Sequence, residues 1–131
     1  AARADPDRAK SDGVTPTYIA SEKNCTQALT QLLAANAHAD KARQDGTTPI
    51  LIASQEHSGE ALAQLLAARA DPDRANNYGV TPTFIATQNN SSEILAQLLA
   101  AGADPDKANN NGVTSTFIAA RNNCSEILAQ L

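Results

Sequence analysis

The sequence has no tryptophan and no methionine, and its 131 residues include only two tyrosines and two phenylalanines. Its hydrophobic share of 42% is typical of a folded chain, but 27 of its residues are alanines. Protein interiors are close-packed, and a thick globular core needs larger side chains than these. The composition therefore excludes a large central core and favours thin helices that stack closely.

Basic side chains are also scarce. Ten lysines and arginines stand against fourteen acidic residues, which gives a net charge of −4. No basic cluster exists to contact a phosphate backbone, so the sequence indicates no nucleic-acid partner. Apolar runs such as residues 98–101 are far shorter than the roughly 20 residues that cross a bilayer. We therefore expect no membrane segment. Residue 1 is alanine and no signal sequence follows it, so we expect the chain to be processed or part of a longer protein.

The chain consists of four repeats with a fixed period of 33 residues, at 1–33, 34–66, 67–99 and 100–131. When residues 67–99 are aligned with residues 100–131, 25 of 32 aligned positions are identical. No linker or second domain is left over, so a single domain covering residues 1–131 is predicted. The anchors that recur at the same offset are Gly13, Gly46, Gly79 and Gly112; Thr15, Thr48, Thr81 and Thr114; and Ala20, Ala53, Ala86 and Ala119.

Each repeat is predicted to contain a loop, a short first helix, a turn and a second helix. Thr15 and Pro16 mark the start of a helix, because Thr caps free N–H groups and Pro fits the first helical position. Ser115 replaces this Pro in the fourth repeat and weakens the signal there. In the second helix, leucines and isoleucines at helical spacing predict a buried stripe. The first helices are expected to end at residues that tolerate a left-handed backbone, namely Asn24, His57, Asn90 and Asn123.

The segments Gly-Val-Thr-Pro-x-x-Ile-Ala, Glu-Ile-Leu-Ala-Gln-Leu-Leu and Gly-Ala-Asp-Pro-Asp together resemble the ankyrin repeat, a 33-residue turn plus two helices. The resemblance covers the whole chain. It implies an all-α solenoid of helix-turn-helix repeats with hairpin loops between them. It also implies a concave face, formed by the hairpin tips and the first helices, that binds other proteins.

Three departures from the family pattern predict local differences. The residues after Thr-Pro-x are Tyr18, Leu51 and Phe84, with Phe117 in the fourth repeat, so an aromatic or leucine side chain is expected to supply packing. Arg69 replaces a glycine, and a left-handed backbone there would cost roughly 1 kcal/mol. The hairpin aspartate of the family is replaced in every repeat, which leaves its local hydrogen bonds in doubt: the residues are Lys10, Arg43, Asn76 and Asn109.

The sequence offers no catalytic or cofactor-binding motif: HExxH, GxSxG and phosphate-binding glycine loops are all absent. His57 stands where the other repeats have asparagine, so we interpret it as a turn residue. Paired aspartates could ligate calcium, but each pair is followed by a basic residue, and a loop and capping role is favoured. These pairs are Asp5 and Asp7, Asp71 and Asp73, and Asp104 and Asp106. We expect no enzyme activity, metal or cofactor.

The two cysteines, Cys25 and Cys124, occupy the same repeat position three repeats apart. With stacked layers about 8–10 Å apart, their separation is on the order of 25–30 Å. A disulfide needs Cα atoms within about 7 Å, so the two thiols cannot pair in one molecule. Unpaired thiols favour a reducing compartment, and we expect an intracellular, cytoplasmic location.

Where the residue type differs between repeats, we interpret the position as not required by the fold and as available to contact a partner. These positions cluster at the hairpin tips and at the C-terminal ends of the first helices. Tyr78 is the strongest candidate, because an exposed tyrosine supplies contact area at low entropic cost. The tip candidates are Ser11, Asp12, Gln44, Asp45, Asn77, Tyr78, Asn110 and Asn111. The helix-end candidates are Glu22, Lys23, Gln55, Glu56, Gln88, Asn89, Arg121 and Asn122.

The sequence thus predicts a protein-binding module whose partner is another protein. Two alternatives stay open: a structural spacer within a longer repeat array, and an engineered repeat scaffold with no partner of its own. The ends of the array lack the polar outer faces that terminal repeats normally carry, so weak end-to-end self-association is also expected. The apolar residues expected to lie uncovered are Tyr18, Ile19, Leu29 and Leu32 at one end, and Phe117, Ile118, Ile127 and Leu128 at the other.

Overall fold

Residues 4–131 are described by the structure, a computed structural model, and they form eight α-helices in four pairs with no β-strand among them. We call each pair, with the loop that precedes it, a unit. The first helices of units 1 to 4 are α1 (Pro16–Glu22), α3 (Pro49–Gln55), α5 (Pro82–Gln88) and α7 (Ser115–Arg121). The second helices are α2 (Thr26–Ala34), α4 (Gly59–Ala67), α6 (Ser92–Ala100) and α8 (Ser125–Gln130).

The predicted start of each first helix is confirmed. In α1 the hydroxyl of Thr15 accepts a hydrogen bond of 3.1 Å from the N–H of Tyr18. The equivalent threonines Thr48, Thr81 and Thr114 cap α3, α5 and α7 in the same way. Helix α7 begins at Ser115 without a proline, because Thr114 alone satisfies the free N–H of Phe117. The cap therefore fixes the start of these seven-residue helices in all four units.

The first helices end two residues earlier than predicted. Helix α1 ends at Glu22, since Lys23 has already left helical geometry with ψ of 2°. Asn24 follows with a left-handed φ of 53°, and the N–H of Cys25 then bonds back to the carbonyl of Ala20 at 2.8 Å. The left-handed backbone itself is confirmed, also at His57, Asn90 and Asn123. These residues reverse the chain after the helix instead of ending it.

The helices form two layers. The first helices pack side by side in the order α1, α3, α5, α7, and the second helices form a parallel row α2, α4, α6, α8 beside them. Between the layers, Ala53 and Ala86 are fully buried against leucines such as Leu62 and Leu95. Alanine at these positions lets the two layers approach closely, as the composition predicts. The core is therefore a thin sheet of side chains that runs the length of the stack.

The residue three positions after each capping threonine packs into the next unit. Tyr18, Leu51 and Phe84 are all nearly fully buried, so the predicted packing role is confirmed for units 1 to 3. Phe117 occupies the same place in unit 4, where no further unit covers it within the described residues, and its side chain is 58% exposed.

The prediction of uncovered apolar residues at the two ends is only partly correct. Tyr18 and Leu29 are buried, because they face unit 2 and not the N-terminal end of the stack. Ile118 and Ile127 are likewise buried, since they face unit 3. The exposed apolar side chains are Ile19 in unit 1 and Phe117 and Leu128 in unit 4, while Leu32 is partly buried.

Arg69 adopts a left-handed backbone with φ of 65°, as the missing glycine predicts. Gly102 occupies the same place in unit 4 with φ of 89°.

In residues 4–131 no helix is both long and apolar enough to cross a membrane.

Candidate protein-binding surface

Four short turns, which we call the tips, project between the units at residues 10–14, 43–47, 76–80 and 109–113. In the first tip the N–H of Lys10 donates to the carbonyl of Val14, and the N–H of Gly13 donates to the carbonyl of Lys10, both at 2.9 Å. The other tips repeat both bonds. Gly79 has φ of 77°, and a Cβ there would lie 2.6 Å from the backbone nitrogen of Asn110. Neighbouring tips therefore approach each other too closely for a side chain at this glycine.

The tips are closed by a side-chain acceptor in two different ways. In unit 3 the Oδ1 atom of Asn76 accepts bonds from the N–H groups of Tyr78 (2.9 Å) and Val80 (3.1 Å), and Asn109 does the same in unit 4. Units 1 and 2 have Lys10 and Arg43 at this position, and their acceptor stands two residues later. There Asp12 accepts from Val14 at 3.0 Å, and Asp45 accepts from Thr47 at 2.9 Å.

Those two aspartates are therefore engaged in their own turns. The doubt about the hydrogen bonds of the family's hairpin aspartate is resolved, since each tip supplies an acceptor from one place or the other. Asp12 and Asp45 remain half-buried candidates for partner contact, with oxygens that also serve the turn.

The tips are joined to one another by a tip ladder, formed by Gln44, Asn77 and Asn110. Each donates its backbone N–H to the tip before it: Gln44 to Asp12, Asn77 to Asp45 and Asn110 to Tyr78, at 2.9–3.2 Å. Each side-chain amide also donates to a carbonyl of that preceding tip, at 2.8–3.2 Å. The interpretation that the fold does not require these three positions is wrong, because each of them bonds its tip to the preceding tip. Local sequence does not reveal these bonds, since they form only when the units stack.

Tyr78 projects from this ladder. Its N–H is held by Asn76 and its carbonyl accepts from Asn110, while 68% of the residue is exposed. The backbone is fixed on both sides and the ring is free to contact another molecule. Tyr78 is the most exposed large hydrophobic residue in the described part of the chain.

A charged cluster lies where the second tip meets the first helices. Arg43 forms an ion pair with Asp45 through its Nε and Nη2 atoms, and its guanidinium lies 5.5 Å from the centre of the Tyr18 ring. The hydrogen bond from Arg43 holds the pKa of Asp45 far below its usual range. Burial raises the pKa of Tyr18, Arg43 opposes this, and the carboxylates of Glu22 and Glu56 add to it.

The contact of Arg43 with Tyr18 and its ion pair with Asp45 join the second tip to the first helix of unit 1. The tip candidate Asp45 therefore lies close to the layer of first helices in units 1 and 2.

The remaining helix-end candidates lie on the surface. Glu22 pairs with Lys23 at 3.6 Å, and the Asn89 amide donates to the carbonyl of Gln55 at 3.3 Å. Among the described residues the Arg121 side chain forms one hydrogen bond, to Asn122 at 3.3 Å. All of the candidate side chains except Asp12, Glu22 and Asp45 are exposed, and these three are partly buried: the exposed set is Ser11, Lys23, Gln44, Gln55, Glu56, Asn77, Tyr78, Gln88, Asn89, Asn110, Asn111, Arg121 and Asn122.

The paired aspartates have the loop role that was favoured over calcium binding. The carboxylate of Asp71 accepts from the N–H of Asp73 at 2.9 Å, and Asp73 accepts from Asp104 in the next unit at 2.8 Å. Asp5 and Asp7 form the same arrangement with His38. Within residues 4–131 no group of three His, Cys, Asp or Glu side chains is arranged to hold a metal ion.

His57 has the predicted left-handed turn conformation, with φ of 57°. Its Nδ1 atom lies 2.6 Å from the hydroxyl of Ser91, the residue that precedes α6. The imidazole therefore links unit 2 to unit 3. Sequence reasoning did not find this contact, because the two residues are 34 positions apart.

Stacked helix pairs, reversed by left-handed residues and joined by hydrogen-bonded tips, define a repeat solenoid. A family model described as ankyrin repeats, in three copies, matches residues 50–131. The chain belongs to the ankyrin-repeat family. No curated protein matches it significantly.

Proposed function

We propose that residues 1–131 form one ankyrin-repeat domain, with repeats at 1–33, 34–66, 67–99 and 100–131, that binds another protein. Ankyrin repeats are generally protein–protein interaction modules. The binding surface consists of the tips and the C-terminal ends of the first helices, which we call the tip face. The observation that carries this proposal is the exposed ring of Tyr78 on a backbone fixed by Asn76 and Asn110.

Rigidity of the tips supports a binding role. Association costs free energy whenever a loop must be ordered, and the tip ladder has already ordered these turns. Tyrosine and arginine are among the residue types enriched at the positions that contribute most of the binding energy. Tyr78 and Gln88, the last residue of α5, are exposed in unit 3, and Arg121 is exposed at the end of α7 in unit 4. A partner that lies across units 3 and 4 would use these three side chains as its main contacts.

Charge is distributed unevenly along the tip face. Asp12, Glu22, Asp45 and Glu56 all lie in units 1 and 2, whereas Arg121 is the charged candidate of units 3 and 4. Asp12, Glu22 and Asp45 each have a basic neighbour within 4 Å, which reduces their field. A partner is expected to place neutral or weakly basic groups over units 1 and 2, and hydrogen-bonding groups over the amide-rich tips of units 3 and 4.

Photo-crosslinking tests the location of this surface. A benzophenone amino acid is placed at position 78, and in a control at position 60, an exposed position in α4. Adducts formed in a lysate of the source cell are identified by mass spectrometry and confirmed with the purified partner. The proposal predicts one partner crosslinked strongly from position 78 and weakly from position 60. Equal crosslinking from both positions would contradict a tip-face site.

The alternative of a structural spacer or an engineered scaffold predicts a different result, because neither has a partner of its own. In that case position 78 would yield no specific adduct beyond that of position 60.

We further propose that the chain binds without catalysing a reaction or holding a cofactor, and that it acts inside the cell. The free thiols of Cys25 and Cys124 support a reducing, cytoplasmic location.

A further inference from the structure

The loop that leads from α2 to the second tip differs from its counterparts in the other units. Units 1, 3 and 4 begin this loop with an aspartate, at Asp5, Asp71 and Asp104. Its carboxylate accepts a hydrogen bond of 2.9 Å from the N–H two residues later. Unit 2 has His38 at this place, and the N–H of Asp40 has no hydrogen-bond acceptor among residues 4–131. Unit 2 therefore lacks a carboxylate that each of the other units supplies to its own loop.

An open hollow of about 580 Å³ lies beside this loop. Three basic side chains from two neighbouring units line it, namely His38, Lys41 and Arg74, together with Asp40 and Ala42. The charges of Lys41 and Arg74 stand against the single carboxylate of Asp40, so the lining is positive in a chain whose net charge is −4. The sequence shows no basic cluster here, because Arg74 follows Lys41 by one full repeat and only the stacking of the units brings them together.

The lysine and the arginine of the hollow are held in place without being neutralised. The Nζ atom of Lys41 donates to the carbonyl of Asp7 at 3.2 Å, and Arg74 donates to the carbonyl of Asp40 at 3.0 Å. Among residues 4–131 neither side chain has a carboxylate oxygen within 4 Å. A lysine has three N–H donors and an arginine has five. Both residues therefore keep their charge and further donors for a ligand.

The two carboxylates nearest to these side chains are engaged elsewhere. Both oxygens of Asp40 accept from the N–H of Asp71, at 3.0 and 3.3 Å. Asp7 accepts from the N–H of His38 at 2.8 Å, and its other oxygen lies 3.8 Å from the Nε2 atom of the same histidine. Asp7 thus fixes the imidazole of His38 at the edge of the hollow, and neither aspartate neutralises Lys41 or Arg74.

We propose that this hollow, which we call the loop site, binds a phosphate group whose oxygens take the place of the carboxylate that position 38 lacks. A phosphate monoester carries about −1.5 to −2 charges and three acceptor oxygens near neutral pH. These oxygens match the donors of His38, Lys41 and Arg74 and the free N–H of Asp40. The planar guanidinium of Arg74 suits two phosphate oxygens at once. A carboxylate ligand, with one charge and two oxygens, would leave donors unused.

The loop site is separate from the tip face, so it does not rest on the proposed protein-binding function. Because its basic side chains are exposed to solvent, inorganic phosphate should bind with a Kd on the order of 1–10 mM. A phosphate group can come from a free phosphate compound or from a phosphorylated side chain of a protein. The chemistry of recognition is the same in both cases, and the experiment distinguishes them.

The test is a titration of the folded chain with inorganic phosphate, followed through the amide signals in ¹⁵N–¹H NMR spectra. The pH and the ionic strength are kept constant with potassium chloride, because exposed charges are screened by salt. The proposal predicts saturable shifts of the amide signals of residues 38–42 and of Arg74. The N–H of Asp40 should shift most, because it gains an acceptor.

Two variants remove the site. His38→Asp restores the residue of the other units and returns a carboxylate to the loop, so the affinity for phosphate should fall by about tenfold or more. Lys41→Gln removes one donor charge and should weaken binding by roughly fivefold. Circular dichroism and the melting temperature check that each variant is folded. Should His38→Asp fail to fold, Lys41→Gln decides the result.

Two control variants make matched changes of charge elsewhere. Gln27→Glu, on the exposed side of α2, also adds a carboxylate and also restores the residue of the other units, at Glu60 and its counterparts. Lys107→Gln removes the lysine that corresponds to Lys41 in unit 4, where Asp104 is present. Both controls should bind phosphate within about twofold of the wild type.

A short peptide with one phosphoserine, compared with inorganic phosphate and with the unphosphorylated peptide, identifies the source. Binding of the phosphopeptide about tenfold tighter than inorganic phosphate indicates a phosphorylated protein, and equal or weaker binding indicates a free phosphate compound.

Three results would overturn the proposal. One is a wild type without saturable shifts at residues 38–42 up to about 50 mM phosphate. Another is unchanged phosphate affinity in folded His38→Asp or Lys41→Gln. The third is a loss of affinity in Gln27→Glu or Lys107→Gln as large as in the matched variant, which would indicate a general effect of charge.

Discussion

Arg43 lies over the ring of Tyr18, with its guanidinium carbon 5.5 Å from the ring centre, while the same guanidinium pairs with Asp45. The contact joins the tip of unit 2 to the first helix of unit 1. Arg43 stands where the family usually has a hairpin aspartate, and Asp45 takes over the acceptor role two residues later. A substitution that removes the family's hydrogen bond is therefore compensated within the same tip.

Tyr18→Phe should leave stability unchanged or raise it by up to about 1 kcal/mol. The Tyr18 hydroxyl is buried and has no hydrogen-bond partner in the described structure, so its removal abolishes a desolvation cost. Phe84 fills the equivalent position in unit 3 without a hydroxyl. Urea unfolding of the two proteins measures the difference. A loss above about 1 kcal/mol would show that the hydroxyl makes a stabilising bond.

Asp45→Asn should lower the free energy of unfolding at pH 7, and the difference from the wild type should decrease in acid. The variant keeps an oxygen that accepts from Thr47 but loses the ion pair with Arg43. Because the pKa of Asp45 is lowered on folding, its ionised form stabilises the fold above the unfolded-state pKa of about 4, and this stabilisation declines as the pH falls below that value. Unfolding midpoints at several pH values between 7 and 2 should converge for wild type and variant. A gap that stays constant with pH would contradict the ion-pair account.

Asn76→Arg should destabilise the third tip by about 1 kcal/mol, because Tyr78 and Val80 lose their shared acceptor. The second change Tyr78→Asp should restore much of this loss, since it recreates the Arg43 and Asp45 arrangement of unit 2 in unit 3. A double-mutant cycle by chemical unfolding gives the coupling between the two positions, expected to be favourable by at least about 0.5 kcal/mol. Additive effects would show that the two ways of closing a tip are not interchangeable.

Arg69→Gly should stabilise the chain by roughly 0.5–1 kcal/mol, because Arg69 has a positive φ that glycine adopts without steric cost. The matched reverse change, Gly102→Arg in unit 4, should destabilise by a similar amount, and no atom lies within 4 Å of a Cβ added there. Opposite shifts in the unfolding midpoint would confirm the backbone cause. If both changes destabilise, contacts of the Arg69 side chain outweigh its strained backbone.

The parts of the fold that depend on local sequence could be predicted. Thr15 and its counterparts mark helix starts because a cap acts over three residues, and the repeat gives the number of helix pairs. The end of α1 was misplaced because Lys23 leaves helical geometry before Asn24 reverses the chain. That intermediate position has no characteristic residue type in the other units.

The site was less predictable because its contacts span units. Gln44 and Asn77 vary between repeats, yet both donate to the tip before them, 33 residues earlier. Glutamine and asparagine can make the same bond, so variation at the position concealed a common role. Tyr78 differs: its side chain has no partner within the described structure, and its exposure is what the sequence predicted.

The central claim, that the tip face binds a protein, is tested most directly by the affinity of the combined variant Tyr78→Ala, Gln88→Ala and Arg121→Ala for the partner found by crosslinking. Calorimetry should show loss of measurable binding. The free energy of unfolding should stay within about 0.5 kcal/mol of the wild type, because the three side chains are exposed. Undiminished affinity of a stably folded variant would contradict a binding site on the tip face.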